Sequence, residues 1–177
     1  MTYPEFPLNF ARKVLLTSLV ITGMGFSVLF PLMAPMGREM GLSEFQTTSI
    51  IGVSAFVVFL SSPIWGRISD RWGRKPVILV GLFGFSIGTL LFNSVLLAGL
   101  SGLLIGLPLY IVLIGSRILH ASVMSAGMPS STAYMADITD VSNRTRGMGA
   151  SGAANNLGSI LGPALAGLAV ISMLAPL

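Results

Sequence analysis

From Pro76 to Ser116 the chain runs 41 residues without a charged side chain. A helix needs ~20 apolar residues to cross a ~30 Å hydrocarbon core. The run is therefore too long for one crossing and right for two with a turn between them. Water is the wrong solvent for such a segment, because small soluble domains leave much of their surface wet. The rest of the chain agrees: 53% of the 177 residues are hydrophobic and 9% are charged, against about a quarter charged in soluble domains. The 21 glycines suit helices that approach one another closely in lipid. The expected fold class is an all-α membrane protein, a bundle of transmembrane helices whose main partner is the lipid bilayer.

Five spans are expected, at about residues 14–33, 48–66, 77–97, 104–136 and 148–174. Asn93-Ser94 and the Gly99–Gly102 region are the expected break between the third and fourth. The first apolar stretch is full length and lacks a cleavage site of small residues, so it reads as a retained span. Basic residues set the orientation. Arg12 and Lys13 precede span 1; Arg67, Arg71, Arg74 and Lys75 lie between spans 2 and 3; Arg144 and Arg146 lie between spans 4 and 5. These eight share one side, and the other side holds only Arg38. The eight mark the cytoplasmic face, which places the amino terminus inside and the carboxyl terminus outside. The net charge of +4 thus reflects topology, and no nucleic-acid partner is expected. The chain ends in Ala175-Pro176-Leu177 without a polar tail, which suggests part of a longer protein. The absence of cysteine excludes disulfides and thiolate metal sites, and no metal or cofactor is expected.

The loop after span 2 reads Gly66-Arg67-Ile68-Ser69-Asp70-Arg71-Trp72-Gly73-Arg74-Lys75-Pro76. A positive-inside loop explains its basic residues. It does not explain one acid four residues after a glycine, followed by Arg-x-Gly-Arg-Lys. Asp70 can pair with these arginines or accept hydrogen bonds from a helix amino terminus, and Gly66 can admit a close helix. The stretch resembles the GxxxDRxGRR/K motif that major facilitator transporters carry between their second and third spans. Every key position matches: Gly66, Asp70, Arg71, Gly73, Arg74 and Lys75.

Span 4 extends the resemblance. Arg117 is followed by small residues, Pro129, Ala136-Asp137 and Asn143-Arg144-Thr145-Arg146-Gly147. Where the family often has Arg-x-x-Gln-Gly, this chain has Arg117-Ile118-Leu119-His120-Ala121. Span 5 carries Gly152, Gly158, Gly162, Pro163 and Gly167, similar to the glycine-rich fifth span of drug:proton antiporters that ends in Gly-Pro-x-x-Gly-Gly; Ala166 replaces one glycine. Gly158, Gly162 and Gly167 are candidates for helix packing. Pro163 removes a donor to the carbonyl of Ser159, so a kink is expected there.

The resemblance implies a protein of twelve or fourteen spans in two halves, each half built from two inverted three-span repeats. This chain would supply the first repeat and two thirds of the second, and the missing carboxyl-terminal half would be its partner. It also implies a cytoplasmic gate formed by Gly66, Asp70, Arg71, Gly73, Arg74, Lys75, Asp137 and Arg144, with Asp70, Arg74 and Asp137 as a charge cluster.

Ionisable residues inside a span are costly and usually face a cavity or a partner. Arg117 and His120, three apart on one helical face, are therefore expected to line a central cavity. Arg117 would offer fixed positive charge, and His120 a group that exchanges a proton near neutral pH or a histidine packed between helices. Asn155 and Asn156 are candidates for substrate contact or interhelical hydrogen bonds. Gly84 and Gly88 read as packing positions, and Glu39 and Glu44 as solvated. None of the six carboxylates lies deep in a span. One histidine, no cysteine and no serine beside a base leave no convergent catalytic set, so no enzyme is expected. The function expected is secondary transport of a small molecule by alternating access, as proton-coupled efflux. The alternatives are a metabolite symporter and a non-transporting helper subunit.

Overall fold

The computed structural model describes the backbone of residues 8–174 and the side chains of residues 8–167. Ala175-Pro176-Leu177 lie outside the described residues. Among the described residues the regular elements are seven α-helices, α1 (Leu8–Ser27), α2 (Leu29–Glu39), α3 (Glu44–Trp72), α4 (Arg74–Leu100), α5 (Gly106–Met124), α6 (Gly127–Asp137) and α7 (Arg144–Leu174), with a 3₁₀ turn at Val141–Asn143. Among the described residues no strand occurs.

Among the described residues four stretches are long and apolar enough to cross a membrane: Leu8–Glu39, Glu44–Trp72, Arg74–Leu100 and Gly106–Asp137. They contain the first three expected spans and the fourth from Gly106 onward. The fifth corresponds to α7, whose side chains beyond Gly167 lie outside the described residues. The helices overrun the apolar segments at their ends because backbone bonding continues into the polar flanks. Asn93 and Ser94 are not a break but lie inside α4; Ser94 returns its hydroxyl to the Leu90 carbonyl. The turn falls at residues 101–105, where Gly102 takes a φ of 74°.

Two of the crossings are broken in the same way. The first is a 20-residue α1 followed by an 11-residue α2; the fourth is a 19-residue α5 followed by an 11-residue α6. Pro31 and Pro129 are each the third residue of the second segment. Proline has no N–H and its ring crowds the carbonyl four residues back. Those residues are Ser27, the last of α1, and Ser125, the cap of α5, so each break falls where the ladder loses its donor.

The chain forms two compact units, one holding the residues through Leu29 together with those from Ser131 onward, the other holding Phe30–Ser130. In the second unit a glycine stripe on α4 receives α5 and the first residue of α6. A Cβ on Gly81 would strike the backbone of Gly127, one on Gly84 the side chain of Val123, one on Gly88 the ring of His120, and one on Gly99 the side chain of Leu109. The pairs run in opposite order along the chain, so α4 and α5 are antiparallel. The packing roles expected for Gly84 and Gly88 are realised here. The opposite surface of α3 presents Phe56, Phe59, Leu60 and Ile64 outward. That is the arrangement lipid favours, since acyl chains are as apolar as leucine and close packing must drive helix association instead.

In the first unit α1 and α7 pack in parallel. Gly23 meets Asn155, Gly158 meets Val20 and Met24, and Gly162 meets Met24 and Ser27. Near the start of α1, Arg12 donates from Nη2 to Thr139 Oγ1 at 3.3 Å.

Candidate functional site

At the junction of α3 and α4 a single residue, Gly73, stands between two long helices with φ 93° and ψ 154°. Side chains rarely adopt a φ in that region, so this glycine of the motif is required by the backbone. Asp70 and Arg74, one turn apart across it, form an ion pair. Arg74 Nη1 also donates to Ser69 Oγ at 2.7 Å, and Ser69 is 1% exposed. One turn earlier Trp65 Nε1 donates to the Ser122 carbonyl of α5 at 2.6 Å, fastening the approach to the junction. Arg71 and Lys75 are exposed. Among the described residues nothing lies within 4 Å of a Cβ built on Gly66, so the close helix expected there is not found. The carboxylate of Asp70 is well exposed, with 62% of its side-chain surface open. A solvated pair of this kind adds at most about 1 kcal/mol of stability. It is better suited to being made and broken than to holding a fold.

The second cluster lies within the second unit, where α3, α4 and α5 meet. Arg117 is 4% exposed and His120 2% exposed. Arg117 Nε donates to Ser54 Oγ of α3 at 3.0 Å, and Ser54 passes its own proton to the Ile50 carbonyl at 2.7 Å. Arg117 Nη1 lies 3.2 Å from His120 Nδ1. The guanidinium carbon sits 4.9 Å from the centroid of Phe92 on α4, within range of a cation–π attraction. His120 Nε2 faces Thr89 Oγ1 at 3.5 Å, and its ring is tilted against Phe85 with centroids 5.6 Å apart. The structure brings Arg117 and His120 together, and α3 and α4 cover them here, where the sequence had placed them on an open cavity. A buried arginine needs its donors met, and closure by hydroxyl, imidazole and ring meets part of that need.

Ser54, Thr89 and Phe92 were not singled out from sequence. Hydroxyl groups inside spans are the signal that could have found the first two, since polar side chains in lipid turn towards other helices.

The remaining candidates are distributed along the first unit. The side chain of Asn155 lies over Gly23 in the α1–α7 seam, whereas Asn156 is exposed. Gly158 and Gly162 are true contact positions. Gly167 is not one: among the described residues nothing lies within 4 Å of a Cβ there. The helix continues through Pro163 to Leu174. Asp137 ends α6 and Arg144 begins α7, both with exposed side chains.

The model of the Major Facilitator Superfamily matches residues 15–174. Multidrug resistance protein 1 of Bacillus subtilis is 33% identical over 159 residues, which cover 90% of this chain and 38% of that protein. The class C tetracycline resistance protein of Escherichia coli is 29% identical over 172 residues, covering 95% and 40%. The quinolone resistance protein NorA of Staphylococcus aureus is 28% identical over 156 residues, covering 87% and 37%. The chain spans about two fifths of the length of these curated relatives.

Proposed function

The chain belongs to the major facilitator superfamily, and on that premise we propose that it is the amino-terminal bundle of a proton-coupled exporter of small amphipathic molecules. The observation that carries this reading is the buried Arg117, held by Ser54 and His120 where α3, α4 and α5 meet inside the membrane-crossing segments. Such a residue is expensive in lipid and marks a pathway for substrate or ions. The direction of transport is supported by the relatives, whose names are those of multidrug, tetracycline and quinolone resistance proteins.

The protein works by alternating access in the bacterial inner membrane, with the amino terminus in the cytoplasm and the proton gradient as its energy source. It has no cofactor. Its partners are the bilayer, the exported compound and a second bundle corresponding to the part of the relatives that this chain does not cover. Asp70 and Arg74 act as a cytoplasmic latch that favours the outward-facing state. Asp137 and Arg144 serve on the same face by their place in the sequence pattern.

The test is dye and tetracycline accumulation in cells expressing the complete reading frame that carries this chain. Accumulation should fall below that of empty-vector cells and return when a protonophore collapses the gradient. Equal accumulation in both strains sinks the exporter, and raised uptake of a metabolite identifies a symporter instead.

A further inference from the structure

We propose that His120 is a positioning residue: a neutral imidazole, protonated at Nε2, that fixes the guanidinium of Arg117 in one orientation against Ser54 and Phe92. The inference deepens the reading of Arg117 given above, and its first test does not depend on that reading.

The tautomer follows from donor chemistry. A guanidinium has five N–H donors and no acceptor. His120 Nδ1, 3.2 Å from Arg117 Nη1, must therefore offer a lone pair. In a neutral ring the proton is then on Nε2. That atom faces the hydroxyl of Thr89, which has lone pairs to accept it. A second proton on Nδ1 would remove the acceptor and set two cations face to face at that distance.

The orientation follows from packing. The Cδ2 edge of the ring fills the space a side chain at Gly88 would need, while Phe85 leans on its face. Turning the ring over would press Nδ1 against the backbone of α4 and present a carbon to Arg117. The ring would keep its shape, but the hydrogen bond to Arg117 would be lost. Arg117 is pinned on its other side by Ser54, whose proton is committed to Ile50, so that hydroxyl can only accept. Two acceptors and one ring face thus define the plane of the guanidinium. A bidentate or stacked arginine depends on such a fixed plane.

The chain contains a single histidine, so ¹⁵N-histidine labelling yields one imidazole. Magnetic resonance on the full chain in bilayers at neutral pH should report a neutral ring with bare Nδ1 and protonated Nε2, and magnetisation transfer from the arginine guanidinium protons to Nδ1. An Nδ1–H tautomer, rapid exchange between tautomers, or a doubly protonated ring would overturn the proposal. A second measurement reads the consequence for transport. At matched membrane levels of the complete reading frame, His120→Phe should lower the rate about tenfold, the factor carried by ~1.4 kcal/mol. His120→Gln, whose amide can both accept and donate, should regain most of it. A phenylalanine variant as active as the glutamine variant would overturn the positioning role. If no form transports anything, the exporter reading fails while the resonance result still decides the tautomer.

Discussion

A Cβ on Gly158 of α7 would overlap the carbonyl oxygen of Val20 on α1, so the two helices meet backbone to backbone. In lipid this closeness is itself the source of affinity, because no hydrophobic gain separates a helix neighbour from an acyl chain. Gly158→Ala forces the helices apart and should cost about 1–3 kcal/mol, as overpacking of a well-fitted contact does. Gly149→Ala in the same helix meets nothing within 4 Å and should stay within about 0.5 kcal/mol of the parent. Thermal unfolding of the two variants in detergent checks this. Equal midpoints would mean that the α1–α7 seam is looser than described.

The ion pair of Asp70 with Arg74 makes a different prediction, because it is too exposed to stabilise the fold. Asp70→Asn keeps the shape of the side chain and removes its charge. Membrane insertion and thermal stability should be nearly unchanged, while transport by the complete reading frame should fall at least about tenfold, a change of ~1.4 kcal/mol in the balance of two states. Transport at the parent rate would remove the latch from the mechanism.

Orientation can be tested cleanly because the chain has no cysteine of its own. Ser69, in the last turns of α3, is 1% exposed and bound to Arg74, so a probe there would be shielded on either side of the membrane. Glu39 and Ser142 are both exposed. In intact cells an impermeant thiol reagent should label Glu39→Cys and spare Ser142→Cys until the membrane is permeabilised. The reverse pattern would invert the topology drawn from the basic residues.

Much of the fold was legible because the bilayer imposes few choices. Charge-free length gave the crossings, and Gly66 to Lys75 gave the junction of α3 and α4. The requirement for Gly73 is visible only in its dihedral angle, although the motif marked the residue. The misplaced break at Asn93-Ser94 has a simple cause. Ser94 bonds back to its own helix, whereas a turn in sequence is recognised by polar residues that would otherwise go unsatisfied. The breaks after Ser27 and at Ser125 are encoded by Pro31 and Pro129, four residues downstream. The partners of Arg117 were hidden for another reason. Nothing local distinguishes Ser54 from Ser62, each returning its hydroxyl to the carbonyl four residues before it. Only the antiparallel docking of α5 beside α4 and against α3 selects one of them.

That selection makes Arg117 the residue on which substitution is most informative. Lysine would keep a positive charge in α5 but replace a planar fork by a point charge on a flexible stem. It could satisfy Ser54 or His120, but not both in the present geometry, where Nε and Nη1 donate in different directions. One buried acceptor would then lose its donor, at a cost of about 1–3 kcal/mol. If charge alone matters, Arg117→Lys should transport like the parent once its membrane level is matched. If the fixed plane matters, the rate should fall about tenfold or more (~1.4 kcal/mol), and Ser54→Ala in the arginine parent should fall in the same direction by loss of the other anchor. The double variant separates the cases. Two changes acting on one hydrogen-bonded unit should be less than additive, so Arg117→Lys with Ser54→Ala should transport little worse than Arg117→Lys alone. A fully additive loss would show that Ser54 and Arg117 act independently, and the contact at 3.0 Å would then be packing without consequence for transport.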